Sequence, residues 1–187
     1  PTAIEAISAN SYATYVCSKN DTLATALGMN TDEKVLAAGL GYLKYEVGDT
    51  VQLTYGGAKR SFIVAQKDYM TQNKIVLIST DILENSVWNA GGKNNYSSST
   101  LRTYLNSTML KKFSAEIQAA MVTSPVPCHN GNKATTCNDK IWIPSCTEVG
   151  FSGSYIPTEG QLLSAYKDGG LLTKGAVWWL RTPYTNN

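Results

Sequence analysis

The chain has 187 residues, of which only 16% are charged, and its 16 Lys and Arg against 14 Asp and Glu give a net charge of +2. So small a charge does not indicate nucleic acid as a partner, and no apolar run approaches the roughly 20 residues that span a bilayer. Ser, Thr and Asn instead occupy 50 positions. This composition predicts a globular protein with a neutral surface rich in hydroxyl and amide groups, which suits the outside of a cell or virus particle.

Two segments are predicted along the chain. Residues 1–44 are interpreted as an attachment or assembly segment. It begins with an N-terminal helix over residues 3–16, whose apolar side chains recur at three- and four-residue spacing. A connector with a short helix at Thr22–Leu27 follows. Residues 45–187 are predicted to form a domain of their own.

The first strands of this domain are predicted from alternation and turn residues. Val51–Tyr55 alternates apolar and polar residues, Gly56-Gly57 is typical of a turn, and Phe62–Ala65 follows. This order predicts a β-hairpin. Lys74–Ser79 contains a continuous apolar run, for which we expect a strand buried on both faces.

Helices are predicted from capping residues and apolar spacing. Ser and Thr side chains favour the N-cap position, and Glu116 suits the positive first turn of a helix that begins at Ser114. The spacing of Thr158 and Gln161 is that of a capping box. The expected helical segments are a short turn from Thr80-Asp81 to Leu83, a helix over Ser97–Leu110, a helix from Ser114 ended by Val126-Pro127, and a helix over Thr158–Tyr166.

Two further strands are predicted, at Lys140–Pro144 and at Val177–Arg181. Short strands and helices are interleaved without a repeating βαβ order. We therefore expect an α+β domain with short, mainly antiparallel strands and two to four helices, preceded by the N-terminal helix.

Four cysteines are present, at positions 17, 128, 137 and 146. Cys128 and Cys137 bracket a polar loop that would be costly to order without a crosslink, and we predict a disulfide between them. The pairing of Cys17 and Cys146 stays open, and Cys146 also fits a buried thiol. Such a disulfide indicates an oxidising compartment. Zinc is the weaker alternative, because these spacings lack the close ligand pairs of zinc sites.

Few residues suggest catalysis. His129 is the only histidine, and adjacent residues such as Cys128 and His129 rarely face each other. Glu148 and Glu159 could serve acid–base chemistry, but the sequence does not place them together. No run of alternating Asp, Asn and Glu ligands indicates calcium. We expect no enzymatic activity, no cofactor and no metal.

Trp178, Trp179 and Arg181 allow two interpretations. They could line a ligand pocket, because Trp stacks on sugar rings and Arg binds carboxylates. We favour a structural role, in which one Trp fills the core and Arg181 ties loop carbonyls together. A second arginine, Arg102, is expected to pair with Glu84 or Glu148.

Three polar loops are candidates for binding, because loops on a rigid scaffold often carry it. They are Asn89–Thr100, Asn130–Asn138 and Tyr184–Asn187. Tyr, Ser, Gly and Asn also populate antibody paratopes, although ordinary solvated loops have a similar composition. The predicted ligand-binding residues are Asn94, Asn95, Tyr96, Tyr184 and Asn186.

Three short motifs follow one another in a specific order. They are Ser99–Asn106 (STLRTYLN), Asp139–Ser145 (DKIWIPS) and Trp178–Pro183 (WWLRTP). The series resembles a family of uncharacterised bacterial and phage domains whose usual motifs read S-x-L-R-x-W-L-N, D-K-[IV]-x-L-L-S and W-W-L-R-S-P. The resemblance covers about residues 45–187.

The resemblance implies a C-type-lectin-like fold, similar to formylglycine-generating-enzyme-like domains and to variable ligand-binding proteins of phages and bacteria. The cysteines of this chain do not lie at positions that match the reactive cysteines of formylglycine-generating enzymes. We therefore do not expect that enzymatic activity in this chain. The implied function is a non-enzymatic recognition or adhesion module of a bacterial cell-surface structure or phage particle. Its expected partner is a cell-surface glycan or a protein receptor, with no nucleic acid and no membrane span.

The alternative is a structural subunit of an extracellular filament, pilus or virion, whose N-terminal helix mediates assembly with neighbouring subunits. Both readings predict an extracellular, cell-surface or virion location. Family members usually continue through a Gly/Asn-rich stretch into a last strand, whereas this chain stops at Asn187. The closing strands are therefore expected to be cut off, disordered or supplied by another chain.

Overall fold

The structure is a computed structural model that describes Gly28 and residues 31–92, 94–169 and 177–183. The predicted helices at residues 3–16 and Thr22–Leu27 lie outside these residues, as do Cys17, Tyr184 and Asn186. None of the described helices is both long enough and apolar enough to cross a membrane.

A three-stranded antiparallel sheet forms the first part of the fold. It contains β1 (Thr50–Tyr55), β2 (Ala58–Lys67) and β3 (Ile75–Ser79), in the order β1-β2-β3. Between β1 and β2 the chain turns at Gly56 and Gly57, whose φ angles of 58° and 82° are the left-handed values that a type I′ hairpin turn requires. The predicted hairpin is confirmed, and β2 is longer than expected.

The predicted third strand is also confirmed, but its environment differs. Every residue of β3 is half-buried, so the prediction of burial on both faces is wrong. The reason is that β3 lies at the edge of the sheet, with only β2 as a described neighbour. The helical turn expected between Thr80 and Leu83 is also wrong, because this segment is irregular.

Two short helices precede the sheet and pack against it. They are α1 (Asp32–Ala37) and α2 (Gly41–Lys44). The side chain of Thr31 caps α1 by accepting a hydrogen bond from the N–H of Lys34 at 3.3 Å. Val35 is fully buried in the same core cluster as the apolar residues of β1 and β2. The described part of the predicted N-terminal segment therefore belongs to the same folded unit as the sheet.

The helix predicted over Ser97–Leu110 is confirmed in position but is not uniform. A 3₁₀ turn at Tyr96–Ser98 leads into α3 (Thr100–Tyr104), which continues as a π-helical turn at Leu105–Met109 and a 3₁₀ turn at Leu110–Lys112. Ser99 is the N-cap of α3, because its Oγ accepts a hydrogen bond from the N–H of Arg102 at 3.0 Å. The Ser/Thr-rich start therefore supplies the cap, as predicted.

Helix α4 (Ala115–Ala120) follows directly. Ser114 caps it as predicted, accepting a hydrogen bond from the N–H of Ile117 at 3.3 Å, and Ile117 is buried. The expected end at Val126-Pro127 is wrong, because the helix ends at Ala120 and those two residues lie in a strand.

That strand belongs to a second antiparallel hairpin, which the sequence analysis interpreted as a loop. It is formed by β4 (Ser124–Asn130) and β5 (Lys133–Asp139). Pro125 and Pro127 made β4 hard to predict from the sequence, because proline within a sheet is confined to edge strands. Both strands of a two-stranded sheet have an open edge, so β4 tolerates the two prolines.

The last part of the described chain is mostly irregular. Lys140–Pro144 and Val177–Arg181 form no strand among the described residues, and Thr158–Tyr166 contains only a 3₁₀ turn at Ser164–Tyr166. These three predictions are wrong. Gly160 interrupts the expected helix with a φ of 82°, and side-chain hydrogen bonds hold the segments together instead. The α+β class is confirmed, with four α-helices and two small antiparallel sheets among the described residues.

Candidate functional site

Arg181 is fully buried and forms four side-chain hydrogen bonds. Its Nη1 and Nη2 donate to Oε2 and Oε1 of Glu148, both at 2.6 Å. Its Nε donates to the C=O of Pro127 at 2.8 Å, and Nη1 donates to the C=O of Ile143 at 2.9 Å. The prediction that Arg181 ties loop carbonyls together is confirmed for Ile143, whereas the other carbonyl, that of Pro127, belongs to strand β4.

Glu148 is placed for this pair by its own chain segment. Its N–H donates to the Oγ of Ser145 at 3.0 Å, while its Oε2 accepts from the N–H of Ser145 at 3.0 Å. This reciprocal arrangement is a capping box, in which the two residues are three positions apart. It begins at Ser145 rather than at the predicted Thr158. Tyr69 adds a hydrogen bond from its hydroxyl to Oε1 at 2.6 Å.

A second buried carboxylate, Glu159, lies on the other side of Arg181, with its Oε2 at 3.9 Å from Nε. Thr182 donates to the same oxygen at 2.7 Å, and Nδ1 of His129 lies 3.2 Å from Oε1. Burial raises the pKa of the Glu159 carboxyl, and Thr182, Arg181 and His129 offset only part of that rise. Glu148 and Glu159 therefore share one guanidinium, a relation that the sequence did not reveal.

This Arg181 site, formed by Arg181, Glu148 and Glu159, connects distant segments of the chain and is closed to solvent. Arg181, Glu148 and Glu159 are fully buried, and their charged groups are bonded to one another and to backbone. Buried charges require such complete pairing, because an unpaired one is very costly. Among the described residues, no group of three or more His, Cys, Asp and Glu side chains could hold a metal ion.

Arg102 forms a second arginine–carboxylate pair, with Asp139. Its Nε and Nη2 lie 3.0 and 2.9 Å from Oδ1 of Asp139, whose side chain is almost completely buried. The expected partners, Glu84 and Glu148, are therefore wrong. Glu84 instead binds Tyr55, Tyr104 and Lys112.

Cys128 and Cys137 lie on neighbouring strands, diagonally across the β4–β5 hairpin. Their sulfur atoms are 2.9 Å apart and both side chains are buried. Burial raises the pKa of the Cys128 thiol. Cys146 is half-buried, and its N–H donates to the hydroxyl of Thr182 at 2.8 Å. The proximity fits the predicted disulfide, which itself stays a prediction.

Two of the three predicted binding loops meet at the tip of this hairpin. Asn95 and Asn130 form an isolated antiparallel bridge. The hydroxyl of Ser97 lies 2.8 Å from Oδ1 of Asn95 and 2.7 Å from Oδ1 of Asn130. Asn94 and Asn132 beside them are exposed. We call Asn94, Asn95, Ser97, Asn130 and Asn132 the polar loop surface.

Tyr96 does not belong to this surface. Its side chain is fully buried, its hydroxyl donates to Oδ2 of Asp139 at 3.3 Å, and its ring packs at 6.2 Å from that of Trp88. Its predicted role in ligand binding is corrected to a core role. Tyrosine in a polar loop gave no signal for this burial, since its ring and hydroxyl suit either place.

Trp178 is half-buried and Trp179 is exposed, so the prediction that one of the two fills the core is met only in part. Trp178 packs against the buried cluster around Leu163. Trp179 is half exposed, and its Nε1 donates to the C=O of Ser86 at 3.1 Å.

Residues 72–187 match the model of a family described as a domain of unknown function, DUF6273. The chain belongs to this family. No curated protein and no solved structure matches the chain. The predicted membership in a family of unknown function is thereby confirmed, and the match begins just before β3.

Within the DUF6273 match, the three motifs of the sequence analysis bond to one another. Asn106 at the end of the first motif accepts hydrogen bonds from the N–H groups of Lys140 and Ile141 in the second, at 2.9 and 3.2 Å. Pro144 in the second motif accepts a hydrogen bond from the N–H of Arg181 in the third at 2.9 Å. These residues of the three motifs therefore connect distant segments of the fold.

Proposed function

We propose that this DUF6273 chain is a non-enzymatic recognition module, displayed on a bacterial cell-surface structure or a phage particle. We further propose a C-type-lectin-like scaffold for it. The observation that carries the proposal is the meeting of two polar loops at the polar loop surface. Loops that converge on a rigid hairpin are the usual way in which a scaffold presents a binding surface.

The anchoring of this surface supports the proposal. Next to Asn95, Tyr96 is buried, and its hydroxyl donates to Asp139 at the open end of the hairpin, which also pairs with Arg102. The bridge between Asn95 and Asn130 then fixes one loop relative to the other. A preorganised surface loses less conformational entropy on binding than a mobile one.

The chemistry of the surface favours a neutral ligand with many hydroxyl or amide groups. Each of its five side chains is uncharged and can donate or accept hydrogen bonds. A cell-surface glycan or a polar patch of a protein receptor offers matching groups. Buried Glu148 and Asp139, in contrast, are paired with buried Arg181 and half-buried Arg102, which supports a structural rather than a catalytic role for these pairs.

The test is a glycan array together with binding to intact bacterial cells, using the wild-type chain and two single variants. Asn132→Ala removes an exposed amide from the polar loop surface. Asn138→Ala removes an exposed amide from the same hairpin, away from its tip, and is the matched control.

We expect Asn132→Ala to weaken binding by about 5-fold or more, as for a residue at the centre of an interface, and Asn138→Ala to leave it unchanged. A correctly folded wild-type chain without a reproducible ligand, or an equal loss in both variants, would contradict the proposal.

A further inference from the structure

A cleft of about 440 Å³ runs along strand β3. Its lining includes every residue from Lys74 to Ser79. Because successive side chains on a strand point to opposite faces, a cleft lined by consecutive residues reaches the edge of the strand. It also extends over one face of the sheet, where Leu53 of β1 and Phe62 of β2 line it. The lining also includes the large apolar side chains of Met109, Met121, Trp142 and Trp178.

The backbone of β3 has hydrogen-bonding groups that face this cleft. The C=O of Lys74 and the N–H of Thr80 both bond toward the β2 side, at 2.9 and 3.0 Å. Backbone groups alternate in direction along a strand, so Ile75 and Leu77 direct theirs to the other side. Within residues 31–92, 94–169 and 177–183, no strand pairs with that edge and no backbone bond reaches these two residues from it.

An extended polypeptide has the chemistry that such a cleft requires. Its backbone offers donors and acceptors at the same spacing as β3, which is the basis of recognition by strand addition. The five residues of β3 span roughly 16 Å. The side chains of the bound polypeptide would pack against the apolar walls of the cleft. A second copy of the folded chain fits less well as a partner through β3. The β3 edge of that copy lies in its own cleft and would not reach into this one.

The two ends of the cleft differ in charge. Lys74 is exposed at the start of β3, and Asp81 is exposed just beyond its end. The ion pairs formed among the described residues include neither of them. An inserted strand would therefore be favoured with an acidic residue beside Lys74 and a basic residue beside Asp81.

We infer that the cleft is an acceptor for an extended apolar strand of another polypeptide, which pairs with the Ile75 and Leu77 edge of β3 and places an acidic residue beside Lys74 and a basic one beside Asp81. This acceptor cleft is separate from the polar loop surface, and the inference does not rest on the proposed function. It adds strand addition by another polypeptide as a second mode of interaction.

The test uses the 187-residue chain and two fluorescein-labelled, end-blocked peptides of equal composition. Arg-Val-Thr-Val-Thr-Val-Glu has its charges placed for antiparallel pairing with β3, and Glu-Val-Thr-Val-Thr-Val-Arg has them placed for parallel pairing. We expect fluorescence anisotropy to show that one orientation binds at least 5-fold more tightly. In hydrogen-exchange NMR, that peptide should slow exchange of the Ile75 and Leu77 amides at least 10-fold.

Two N-methylated forms of the tighter peptide separate strand pairing from apolar adhesion. One carries N-methyl groups on the alternate residues of one edge, and the other carries them on the opposite edge. We expect one form to lose binding and the other to retain it, because only one edge can pair with β3.

A charge exchange supplies the second readout. Lys74→Glu should weaken binding of the tighter peptide by about 2- to 5-fold, as for an exposed ion pair. Replacement of that peptide's Glu by Lys should restore its affinity for the Lys74→Glu variant. Three results would overturn the inference. Both peptides could fail to bind, both N-methylated forms could bind equally, or the amides of Ile75 and Leu77 could already be protected from exchange in the free chain.

Discussion

The replacement of Arg181 by Met is the sharpest test of the buried polar framework. Met retains much of the side-chain volume but none of the hydrogen-bond donors. Glu148 would keep its two contacts with Ser145 and the one with Tyr69, but its charge would have no cationic partner. Removing one member of a buried ion pair costs about 3–5 kcal/mol.

Two backbone carbonyls add to this cost, since Pro127 and Ile143 both lose a donor. We therefore expect a loss near the upper end of that range, about 4–5 kcal/mol. For a chain of 187 residues, the entropy of unfolding is roughly 0.4 kcal/mol per degree, so the melting temperature should fall by about 10 °C.

The assay is urea unfolding followed by tryptophan fluorescence and circular dichroism. Arg60→Met is the matched control, because Arg60 is exposed on β2 and should change the free energy of unfolding by no more than about 0.5 kcal/mol. Adding Glu148→Gln to Arg181→Met should recover part of the loss, since a neutral amide is cheaper to bury than a carboxylate. A loss within about 1 kcal/mol of the Arg60→Met control would refute this account of Arg181.

Two further predictions concern the loops around this framework. A Cβ at position 160 would lie 2.0 Å from Oη of Tyr69, on a backbone with φ of 82°, so Gly160→Ala should lower the free energy of unfolding by about 3 kcal/mol. Gly131→Ala, at a similar φ of 58° with open space around it, should cost only about 1 kcal/mol, and equal losses would contradict the role of the contact. In oxidised protein, we expect Cys128 and Cys137 to be linked, with a stabilisation of at most about 3 kcal/mol. Peptide mapping that finds both thiols free after oxidation would disprove this.

Local signals predicted the parts of the fold that depend on a few neighbouring residues. The Gly56-Gly57 turn specified the first hairpin, and Ser99 and Ser114 specified two helix starts. In each case the residue satisfies backbone geometry or a backbone N–H within three positions. The strand at Ile75–Ser79 was found for the same reason, from its own apolar run.

The second hairpin was missed because two signals conflicted. Asn130-Gly131 is a strong turn signal, but Val126-Pro127 suggested the end of a helix. Prolines are excluded only where their nitrogen must donate to a neighbouring strand. Whether a strand has an open edge depends on the whole sheet, and the sequence alone does not contain that information.

The Arg181 site shows why spacing alone could not locate the candidate site. Ser145-x-x-Glu148 and Thr158-x-x-Gln161 have the same capping-box pattern, yet only the first forms it. In the first, the carboxylate also meets Arg181, which is 33 positions away, so the ion pair and the cap stabilise one another. In the second, Gly160 adopts a left-handed conformation and approaches Tyr69, 91 positions away. Long-range partners therefore decide which of two equivalent local patterns is realised, and a change at Arg181 should weaken the Ser145 cap as well as the ion pair.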